Sequence, residues 1–521
     1  MRILLIVLPF TVDVCEFSHN DDYRTWKAIP YGVLQLIKYC QDLAEFRVVD
    51  CNVDEKYQES IVQTMKEWEP HRVGFSMTFD GSYPYLAELA KIVKDIDPRV
   101  WIVVGGAATL ATYREIITEQ KSIDAVCYSD GEVPFRDILL PVPGRWADLY
   151  GHVSWITRES LNEGRVPQKS PIPNLDDVTD VDYTYVDVSK YSMVDEFNLV
   201  PMRDVHRFYI MTSRGCPFRC KFCFRSREND PRMQFASISK VIDHVKRLVD
   251  DFGMDALVLC DDQLLVDMKR AKELFRQLAQ FHLRVEVQQG VGLGFIDEEM
   301  VDLMVGAGMV KLLLNVESGS QEMLDLMVTK PVNLDKAREI IKIIRSHGVW
   351  TSAIFVCGFP GETDTHRAET LKWIESTELD WCRFRAAIPI RGTVLYDICI
   401  KNGYIQPDIK FGDLDYGNYT IHVPGYPPEY VTDQIYKMNL QTNFVNNPQM
   451  RRGDYAIAAR MFKQIIDNVY EGHAFAHYYL SKCLGKMMGI NAEWHYSRFQ
   501  EIINTDKTWA RYATEYIKEK T

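Results

Sequence analysis

Three cysteines lie close together near the middle of the chain, in the segment Thr212-Ser-Arg-Gly-Cys-Pro-Phe-Arg-Cys-Lys-Phe-Cys-Phe224. Cys216, Cys220 and Cys223 follow a CxxxCxxC spacing, which puts three thiols on one loop. Thiolates are the soft ligands that iron–sulfur clusters use. Three such ligands would hold three corners of a 4Fe–4S cubane and would leave one iron open to a substrate or a cofactor.

Two other chemistries use the same residue type. Cys220 and Cys223 could form a redox dithiol, and a zinc site would require a fourth ligand. No fourth ligand lies within easy reach, since His206 precedes the neighbouring predicted strand. The pattern favours the open cluster over these alternatives. The remaining cysteines are isolated, mostly in apolar stretches, and are predicted to be buried free thiols: Cys15, Cys40, Cys51, Cys127, Cys260, Cys357, Cys382, Cys399 and Cys483.

The composition is that of a folded protein with two or three domains. The chain has 521 residues, of which 46% are hydrophobic and 26% charged, and its net charge is −13. This charge argues against a nucleic-acid-binding surface over the whole molecule, although a local basic patch is compatible with it. The apolar start, Met1–Phe10, predicts a buried strand and not a signal peptide. No run of about 18 apolar residues occurs, so we expect a cytoplasmic protein without a membrane span.

The elements that must position this chemistry alternate between strand and helix. Residues 1–138 predict a doubly wound parallel sheet, an α/β Rossmann-like domain with its ligand site beyond the carboxyl ends of the strands. Prolines interrupt residues 139–204, which predicts a linker. The predicted strands of the first domain are Ile3–Leu8, Phe46–Asp50, Val73–Ser76, Val100–Val104 and Ala125–Tyr128, and two predicted helices are Gly32–Leu43 and Tyr85–Ile96.

Residues 205–390 predict a second α/β domain with six strands. Six βα units are too few for a closed eight-stranded barrel, so an open partial (β/α)6 barrel is expected. The last region, 391–521, is predicted to face the substrate, to be irregular up to 450, and then to be helical. A weak 37-residue repeat, in which Phe462 corresponds to Phe499, is compatible with stacked helical hairpins and equally with plain helical packing. The predicted barrel strands are Phe208–Ser213, Asp255–Cys260, Arg284–Gln289, Val310–Val316, Ser352–Cys357 and Arg383–Ile388.

The cysteine loop resembles the signature of the radical S-adenosylmethionine (SAM) superfamily. Asn315-Val-Glu-Ser-Gly-Ser320 and Gly358-Phe-Pro-Gly-Glu-Thr363 resemble its further strand-end motifs. The resemblance implies that the open iron of the cluster chelates SAM, which is cleaved to a 5′-deoxyadenosyl radical. Lys330 follows the first of these motifs at a spacing common in these enzymes. Glu362, in the second motif, could cap the next helix instead of shaping the ligand site. The implied SAM contacts are Phe222 near the adenine, Asp261 and Asp262 near the methionine part, Gln288 as a weaker candidate, and Glu317 and Ser318 at the nucleoside.

The first domain resembles the cobalamin-binding domain that often precedes this type of barrel. A Gly-x-Gly-x-x-Gly turn is missing after the first strand, which argues against a dinucleotide site. An Asp-x-His-x-x-Gly motif is also missing, so no histidine of the protein is expected on the lower face of the cobalt, where Met77 or Phe79 could lie. The implied cobalamin contacts are Ser76, Met77 and Thr78, then Gly105 and Gly106, then Asp130, Gly131 and Glu132.

The resemblance implies a cobalamin-dependent radical SAM methyltransferase that methylates an unactivated carbon through methylcobalamin and the 5′-deoxyadenosyl radical. The expected cofactors are a 4Fe–4S cluster, SAM and cobalamin, and the expected reductant is a ferredoxin or a flavodoxin. The alternative is rearrangement or oxidative cyclisation without net methyl transfer. The substrate is a small molecule, or a peptide or protein that docks on the C-terminal helices. A cobalamin sensor without catalysis would not need the three cysteines.

Overall fold

The computed structural model describes residues 1–9, 29–140, 149–191, 206–226, 233–406 and 419–517. Cys15 and the other residues of 10–28 therefore lie outside the described residues. No helix in these ranges combines the length and the apolar character that crossing a bilayer requires.

The first domain is a six-stranded sheet with the order β2-β1-β3-β4-β5-β6. Strands β1 to β5 are parallel, as predicted, and β1 is apolar along most of its length because helices cover both faces of the sheet. The strands are β1 Arg2–Val7, β2 Glu45–Asp50, β3 Arg72–Ser76, β4 Trp101–Gly105, β5 Ala125–Cys127 and β6 Trp155–Ile156, and the helices are α1 Tyr31–Cys40, α2 Tyr57–Trp68, α3 Tyr83–Ile96, α4 Thr109–Glu119, α5 Glu132–Leu139 and α6 Arg158–Asn162.

Strand β6 was not expected, because it comes from the segment predicted as a linker. It pairs antiparallel with β5 through Trp155 and Ile156, and both side chains are buried. The indole of Trp155 also donates a hydrogen bond of 2.9 Å to the carbonyl of Pro134. Two apolar residues are too short a signal to predict a strand among prolines, so the linker contributes an edge to the sheet that the sequence did not indicate.

The second domain contains all six predicted barrel strands, in two parallel groups of three with the orders β11-β10-β7 and β12-β13-β14. Single parallel bridges from Val285 to Met309 and from Val291 to Leu314 join the two groups. An antiparallel hairpin, β8 with β9, flanks the cysteine loop. The strands are β7 Arg207–Ile210, β8 Ser213–Arg214, β9 Gln234–Phe235, β10 Ala256–Leu259, β11 Arg284–Val287, β12 Lys311–Glu317, β13 Trp350–Cys357 and β14 Trp381–Ala386.

Helices follow the barrel strands, as an open β/α barrel requires. The first of them begins after Ser237, whose hydroxyl accepts from the backbone of Lys240, and it ends at Gly253 in a left-handed conformation. These two local signals set the bounds of the helix, Ile238–Phe252. The helices are α7 Ile238–Phe252, α8 Met268–Leu278, α9 Glu298–Gly306, α10 Gln321–Met327, α11 Leu334–Ser346 and α12 Asp364–Glu375.

The C-terminal region is more helical than predicted. Within the part of 391–450 that the structure describes, three helices and one π-helical turn (Gln441–Val445) replace the expected irregular chain. Phe462 and Phe499, which the 37-residue repeat aligns, are both buried and lie on alternate helices of one stack. The helices are α13 Val394–Asn402, α14 Pro428–Leu440, α15 Pro448–Arg452, α16 Tyr455–Asn468, α17 Ala474–Lys486, α18 Ala492–Thr505 and α19 Lys507–Tyr516.

Candidate functional site

The cysteine loop lies at the carboxyl end of the barrel strands and is fixed from two sides. The amide of Lys221 donates to the carbonyl of Met327 at 2.9 Å, and the carbonyl of Lys221 accepts from the amide of Leu395 at 2.8 Å. The amide of Arg219 donates to the hydroxyl of Thr329 at 2.7 Å. Chain segments from beyond β12 and β14 therefore hold the loop, and the completed barrel sets the position of its thiols.

The three thiols share this loop in the folded chain. Cys220 is buried among apolar side chains, whereas Cys216 and Cys223 are half-buried. Burial raises the pKa of Cys216, and it raises the pKa of Cys223 to about 11. A bound metal must therefore displace protons from these thiols, as is usual for thiolate ligands. The donor set fits an iron–sulfur cluster.

Among the described residues, no group of three or more His, Cys, Asp or Glu side chains is arranged to hold a metal ion. The ligation of a cluster by Cys216, Cys220 and Cys223, and its choice over zinc, therefore stay predictions.

The ring of Phe222, in the cysteine loop, packs against a second aromatic ring. Its centroid is 5.3 Å from that of Phe359, which belongs to the turn after β13. Gly358 in the same turn has φ +87°, and its carbonyl accepts a hydrogen bond of 2.6 Å from the hydroxyl of Tyr419. The turn that resembles the family's glycine-rich motif therefore supplies an aromatic wall next to the predicted adenine contact.

The neighbouring aspartates after β10 have different positions. Asp261 is fully buried, and its carboxylate accepts from the hydroxyls of Thr212 and Ser213 at 2.8 and 2.5 Å. Asp262 is half-buried and accepts from the amide of Gly215 at 3.2 Å. We therefore reassign Asp261 from SAM contact to support of the strand that leads into the cysteine loop. Asp262 stays a candidate.

Glu317 ends β12 with φ +70°, after a register shift in the strand. Its carboxylate forms an ion pair of 2.5 Å with the ammonium group of Lys330, and both side chains are more than 90% buried. Burial alone lowers the pKa of Lys330, but Glu317 and, more weakly, the thiols of Cys220 and Cys223 raise it. Lys330 therefore places a fixed positive charge beside the cysteine loop.

Three other predicted residues support the site or lie at its edge. The hydroxyl of Ser318 is buried and accepts from the amide of Ser320 at 3.1 Å. Glu362 does not cap α12, since its carboxylate accepts from the amide of Gly358 at 2.6 Å and from Arg367. Gln288 is half-buried and accepts from the thiol of Cys260 at 2.9 Å. Ser318 and Glu362 shape the backbone of the two motifs, and Gln288 is accessible to a ligand.

In the first domain, the loops after β3, β4 and β5 meet at one edge of the sheet. The order β2-β1-β3-β4-β5 places the topological switch point between β1 and β3, where doubly wound sheets bind flat cofactors. Ser76 is half-buried and Thr78 is exposed, and on the adjacent strand Gly105 ends β4 and Gly106 begins the loop. These residues are the ones that the resemblance assigns to cobalamin, and the sheet brings them to one edge.

Met77 has a different role from the predicted one. Its side chain is fully buried in the core of the first sheet, and its amide donates to the carbonyl of Gly105 at 2.8 Å. A side chain with no accessible surface cannot lie under a ring that enters from solvent, so we reassign Met77 to the core. A Cβ on Gly106 would lie 2.3 Å from the carbonyl oxygen of Met77, so this glycine is required by the loop itself.

Glu132 is also reassigned, because it contacts the other domain. Its carboxylate lies 2.6 Å from the guanidinium of Arg214, and both residues are buried. Asp130 lies 3.6 Å from the same guanidinium. Sequence reasoning missed Arg214, although a charged residue directly before Gly215 and Cys216 was a signal that could have identified it.

Among the described residues of the first domain, no histidine lies at the sheet edge where the loops after β3, β4 and β5 meet. His71 lies at the opposite edge, where it accepts from the amide of Arg2 at 2.9 Å, and His152 contacts Asp137. His19 lies outside the described residues. The expected absence of a histidine under the cobalt therefore stays a prediction.

Family models match both domains. The radical SAM superfamily matches residues 210–374, and the B12 binding domain matches residues 26–139. Together these ranges include the three cysteines and the three loops of the first sheet.

Curated relatives include enzymes of two reaction types. A cytidylyl-2-hydroxyethylphosphonate methyltransferase of Streptomyces wedmorensis is 27% identical over 416 residues, which is 74% of this chain and 77% of that protein. An anaerobic magnesium-protoporphyrin IX monomethyl ester cyclase of Rubrivivax gelatinosus is 26% identical over 393 residues, 73% of this chain and 66% of that protein.

Two solved structures share the fold over nearly the whole chain. The radical SAM methyltransferase TsrM of Kitasatospora setae, determined with cobalamin and a [4Fe-4S] cluster, has a TM-score of 0.64 at 14% identity and covers 97% of this chain and 99% of its own. The cobalamin-dependent radical enzyme OxsB, determined with aqua-cobalamin and SAM, has a TM-score of 0.67 at 14% identity, with coverages of 99% and 79%.

Proposed function

Because the chain is a cobalamin-dependent radical SAM enzyme with a B12-binding domain ahead of its radical SAM domain, we propose that it methylates an unactivated carbon of its substrate. Its cofactors are a 4Fe–4S cluster, SAM and cobalamin. When bound, the cluster supplies an electron for SAM cleavage and cobalamin carries the methyl group. The observation that carries the proposal is the cysteine loop, which lies in direct contact with the cobalamin domain through Arg214.

The residues of the chain position and shield the reactants in this proposal. Cys216, Cys220 and Cys223 would hold the cluster, and the aromatic pair of Phe222 and Phe359 would cover one side of SAM and limit its contact with water. The other proposed SAM contacts lie at the strand ends: Asp262, Gln288 and the buried pair of Glu317 with Lys330.

For cobalamin, the proposal keeps the residues that are accessible at the edge of the first sheet. These are Ser76, Thr78, Gly105, Gly106, Asp130 and Gly131. Backbone contacts with a large flat ligand need little side-chain specificity, which agrees with the two glycines at the end of β4, Gly105 and Gly106. We propose a ferredoxin or a flavodoxin as the reductant, because such proteins deliver single electrons to low-potential clusters.

The test is anaerobic reconstitution with iron, sulfide and hydroxocobalamin, followed by product analysis by mass spectrometry. Methyl transfer to an unactivated carbon produces both 5′-deoxyadenosine and S-adenosylhomocysteine, and the substrate gains the mass of one methylene. Candidate substrates are best drawn first from anionic phosphonates such as the one named for the Streptomyces relative. Formation of 5′-deoxyadenosine without S-adenosylhomocysteine would contradict methyl transfer.

Oxidative cyclisation is the second candidate, and the cyclase relatives favour it. It would use the same two domains without net methyl transfer. The product would then lose hydrogens and gain no methylene. The same mass measurement separates the two reactions, because the two product masses change in opposite directions.

A further inference from the structure

Arg214 connects the two cofactor-binding domains through a buried charge cluster. The residue lies in β8, two positions before the first cysteine of the loop. Its guanidinium donates to the carboxylate of Glu132 at 2.6 Å and to the side-chain oxygen of Gln35 at 2.9 Å. Glu132 begins α5 and Gln35 lies in α1, so both partners belong to the first domain.

The cluster is incomplete on one side. The Nη1 atom of Arg214 is buried and has no hydrogen-bond partner among the described residues. The nearest carboxylate oxygen on this side belongs to Asp130, 3.6 Å away, beyond the range of a hydrogen bond. Asp130 is half-exposed and lies in the loop after β5 that is proposed to contact cobalamin. A small movement of this loop toward the guanidinium would complete the cluster.

Separating Arg214 from Glu132 would cost free energy, because both side chains are buried. The ion pair therefore links the cysteine loop to the loop after β5. A buried carboxylate that loses its only cation cannot be compensated by water, so Glu132 and Arg214 must move together. Arg214 is joined through Gly215 to the cysteine loop, and Glu132 is joined through Gly131 to the loop after β5. A ligand that orders one loop therefore restricts the other.

We propose that Arg214 is a positioning residue that couples the two cofactor sites, so that assembly of the cluster strengthens cobalamin binding and cobalamin binding strengthens cluster retention. This inference rests on the proposed function, since it requires that both cofactors bind. The two effects are equal by thermodynamic linkage. We expect the coupling factor to be about 10-fold, within the range of roughly 5- to 150-fold that is typical of coupled sites.

The experiment measures the affinity of the full-length protein for hydroxocobalamin by anaerobic equilibrium dialysis, with and without the reconstituted cluster. Wild-type protein is expected to bind about 10-fold more tightly with the cluster. In R214M the ratio of the two affinities should fall to nearly 1. In R214K, which can reach Glu132 but lacks the fork toward Asp130 and Gln35, the ratio should be intermediate.

A matched control is R391M. Arg391 also joins the domains, through an ion pair of 3.4 Å with Glu115, but it follows β14 and lies in neither of the two cofactor loops. The ratio should persist in R391M. If R214M does not fold, E132Q provides the same test, because it removes the charge of the partner and keeps its shape and hydrogen-bonding capacity.

The outcomes separate this inference from the proposed function. Equal hydroxocobalamin affinity of the wild-type protein with and without the cluster would overturn the coupling, as would an unchanged ratio in both R214M and E132Q. Either result would leave the proposed reaction intact. Failure of the wild-type protein to bind hydroxocobalamin or to assemble a cluster would instead overturn the proposed function itself.

Discussion

The cysteine loop and the loops proposed to contact cobalamin, which follow β3, β4 and β5, lie at the strand ends of neighbouring domains, but they depend on different features of the chain. The cysteine loop depends on three side chains of one type, and contacts such as that between Arg219 and Thr329 hold its backbone. The loops after β3 and β4 depend on backbone shape, since a Cβ on Gly106 would collide with the carbonyl of Met77. The cysteine loop, which we call the cysteine edge, thus requires thiol side chains. The loops after β3 and β4, which we call the cobalamin edge, require space and a particular backbone path. Substitutions should therefore affect the two edges by different mechanisms.

The largest effect is expected from replacing Cys216, Cys220 or Cys223 by alanine. Each change removes one thiolate of the proposed cluster, and formation of 5′-deoxyadenosine should fall by more than about 100-fold, the upper loss typical of outer-shell changes at metal sites. Iron content should fall in parallel, whereas cobalamin should still bind. The measurements are iron analysis and mass spectrometry of the nucleoside.

Cys483→Ala is the matched control, because this cysteine is buried in α17, far along the chain from the loop. It should keep both iron and SAM cleavage. An alanine variant of the triplet that retains full iron content and forms 5′-deoxyadenosine at the wild-type rate would contradict the assignment of the cluster ligands.

Gly106→Ala should have the opposite effect to the cysteine variants, because it should weaken cobalamin binding and leave the iron content unchanged. The residue has φ +114°, where alanine is strained by roughly 1–3 kcal/mol, and the added Cβ would lie 2.3 Å from a carbonyl oxygen. We expect hydroxocobalamin affinity to fall by at least about 10-fold, corresponding to 1.4 kcal/mol, while the cluster assembles normally. Equilibrium dialysis and iron analysis measure the two properties.

Gly81→Ala is the control for this change. Gly81 lies in the same part of the first domain, has an ordinary φ, and has no atom within 4 Å of an added Cβ. It should bind hydroxocobalamin as wild type does. Equal affinity of G106A and G81A would show that the backbone path at Gly106 does not determine the cobalamin edge.

The same contrast explains what could be predicted from the sequence. The cysteine triplet needs particular residues at particular spacings, so the sequence alone is enough to predict it. All six barrel strands were also found, because strand-like and helix-like patterns alternate regularly along residues 205–390. The start of α7 at Ser237 and its end at Gly253 are local signals that the sequence carries in full.

Contacts between distant segments could not be predicted in this way. Met77 and Thr78 are adjacent, and only the completed sheet shows that the first is core and the second is exposed. Glu132 was placed at the cobalamin site because its loop resembles a corrin loop, yet its carboxylate contacts Arg214, 82 positions along the chain. Strand β6 is too short to have a periodicity. In each case the deciding partner is remote in sequence.

Lys330→Met tests whether the cysteine edge also depends on a residue that is not a ligand. The change leaves Glu317 buried without its cation, which typically costs about 3–5 kcal/mol. It also removes the positive charge beside Cys220 and Cys223. We expect formation of 5′-deoxyadenosine to fall by about 10- to 100-fold, with cobalamin affinity much less affected. Thermal unfolding and nucleoside analysis measure the two effects.

Glu317→Gln and Lys336→Met sharpen this prediction. The glutamine can still accept a hydrogen bond from Lys330, so its effect should be smaller than that of K330M. Lys336 is an exposed residue of α11, and its substitution should change neither property. Equal stability and activity of K330M and K336M would show that Lys330 contributes no more to the cysteine edge than an exposed lysine does.

The smallest effect concerns the C-terminal helices, which belong to neither edge. His473 is buried, accepts from the amide of Ala476 at 3.1 Å at the start of α17, and stacks on Phe444. Burial lowers its pKa to about 3. The unfolded chain therefore binds the proton first, so the contribution of neutral His473 to stability is complete above about pH 6.5 and is lost as the pH falls toward 3.

Acid titration of the apoprotein, followed by circular dichroism and by the fluorescence of Trp509 and the other tryptophans, measures this loss. Trp509 lies 4.8 Å from the ring of His473, centroid to centroid. His473→Asn keeps a side chain that can cap α17 but does not titrate, so its stability should vary less between pH 6.5 and 4 than that of the wild type. An identical pH dependence in H473N would mean that other groups, such as His495, whose pKa is also lowered by burial to about 4, control the acid sensitivity of this region.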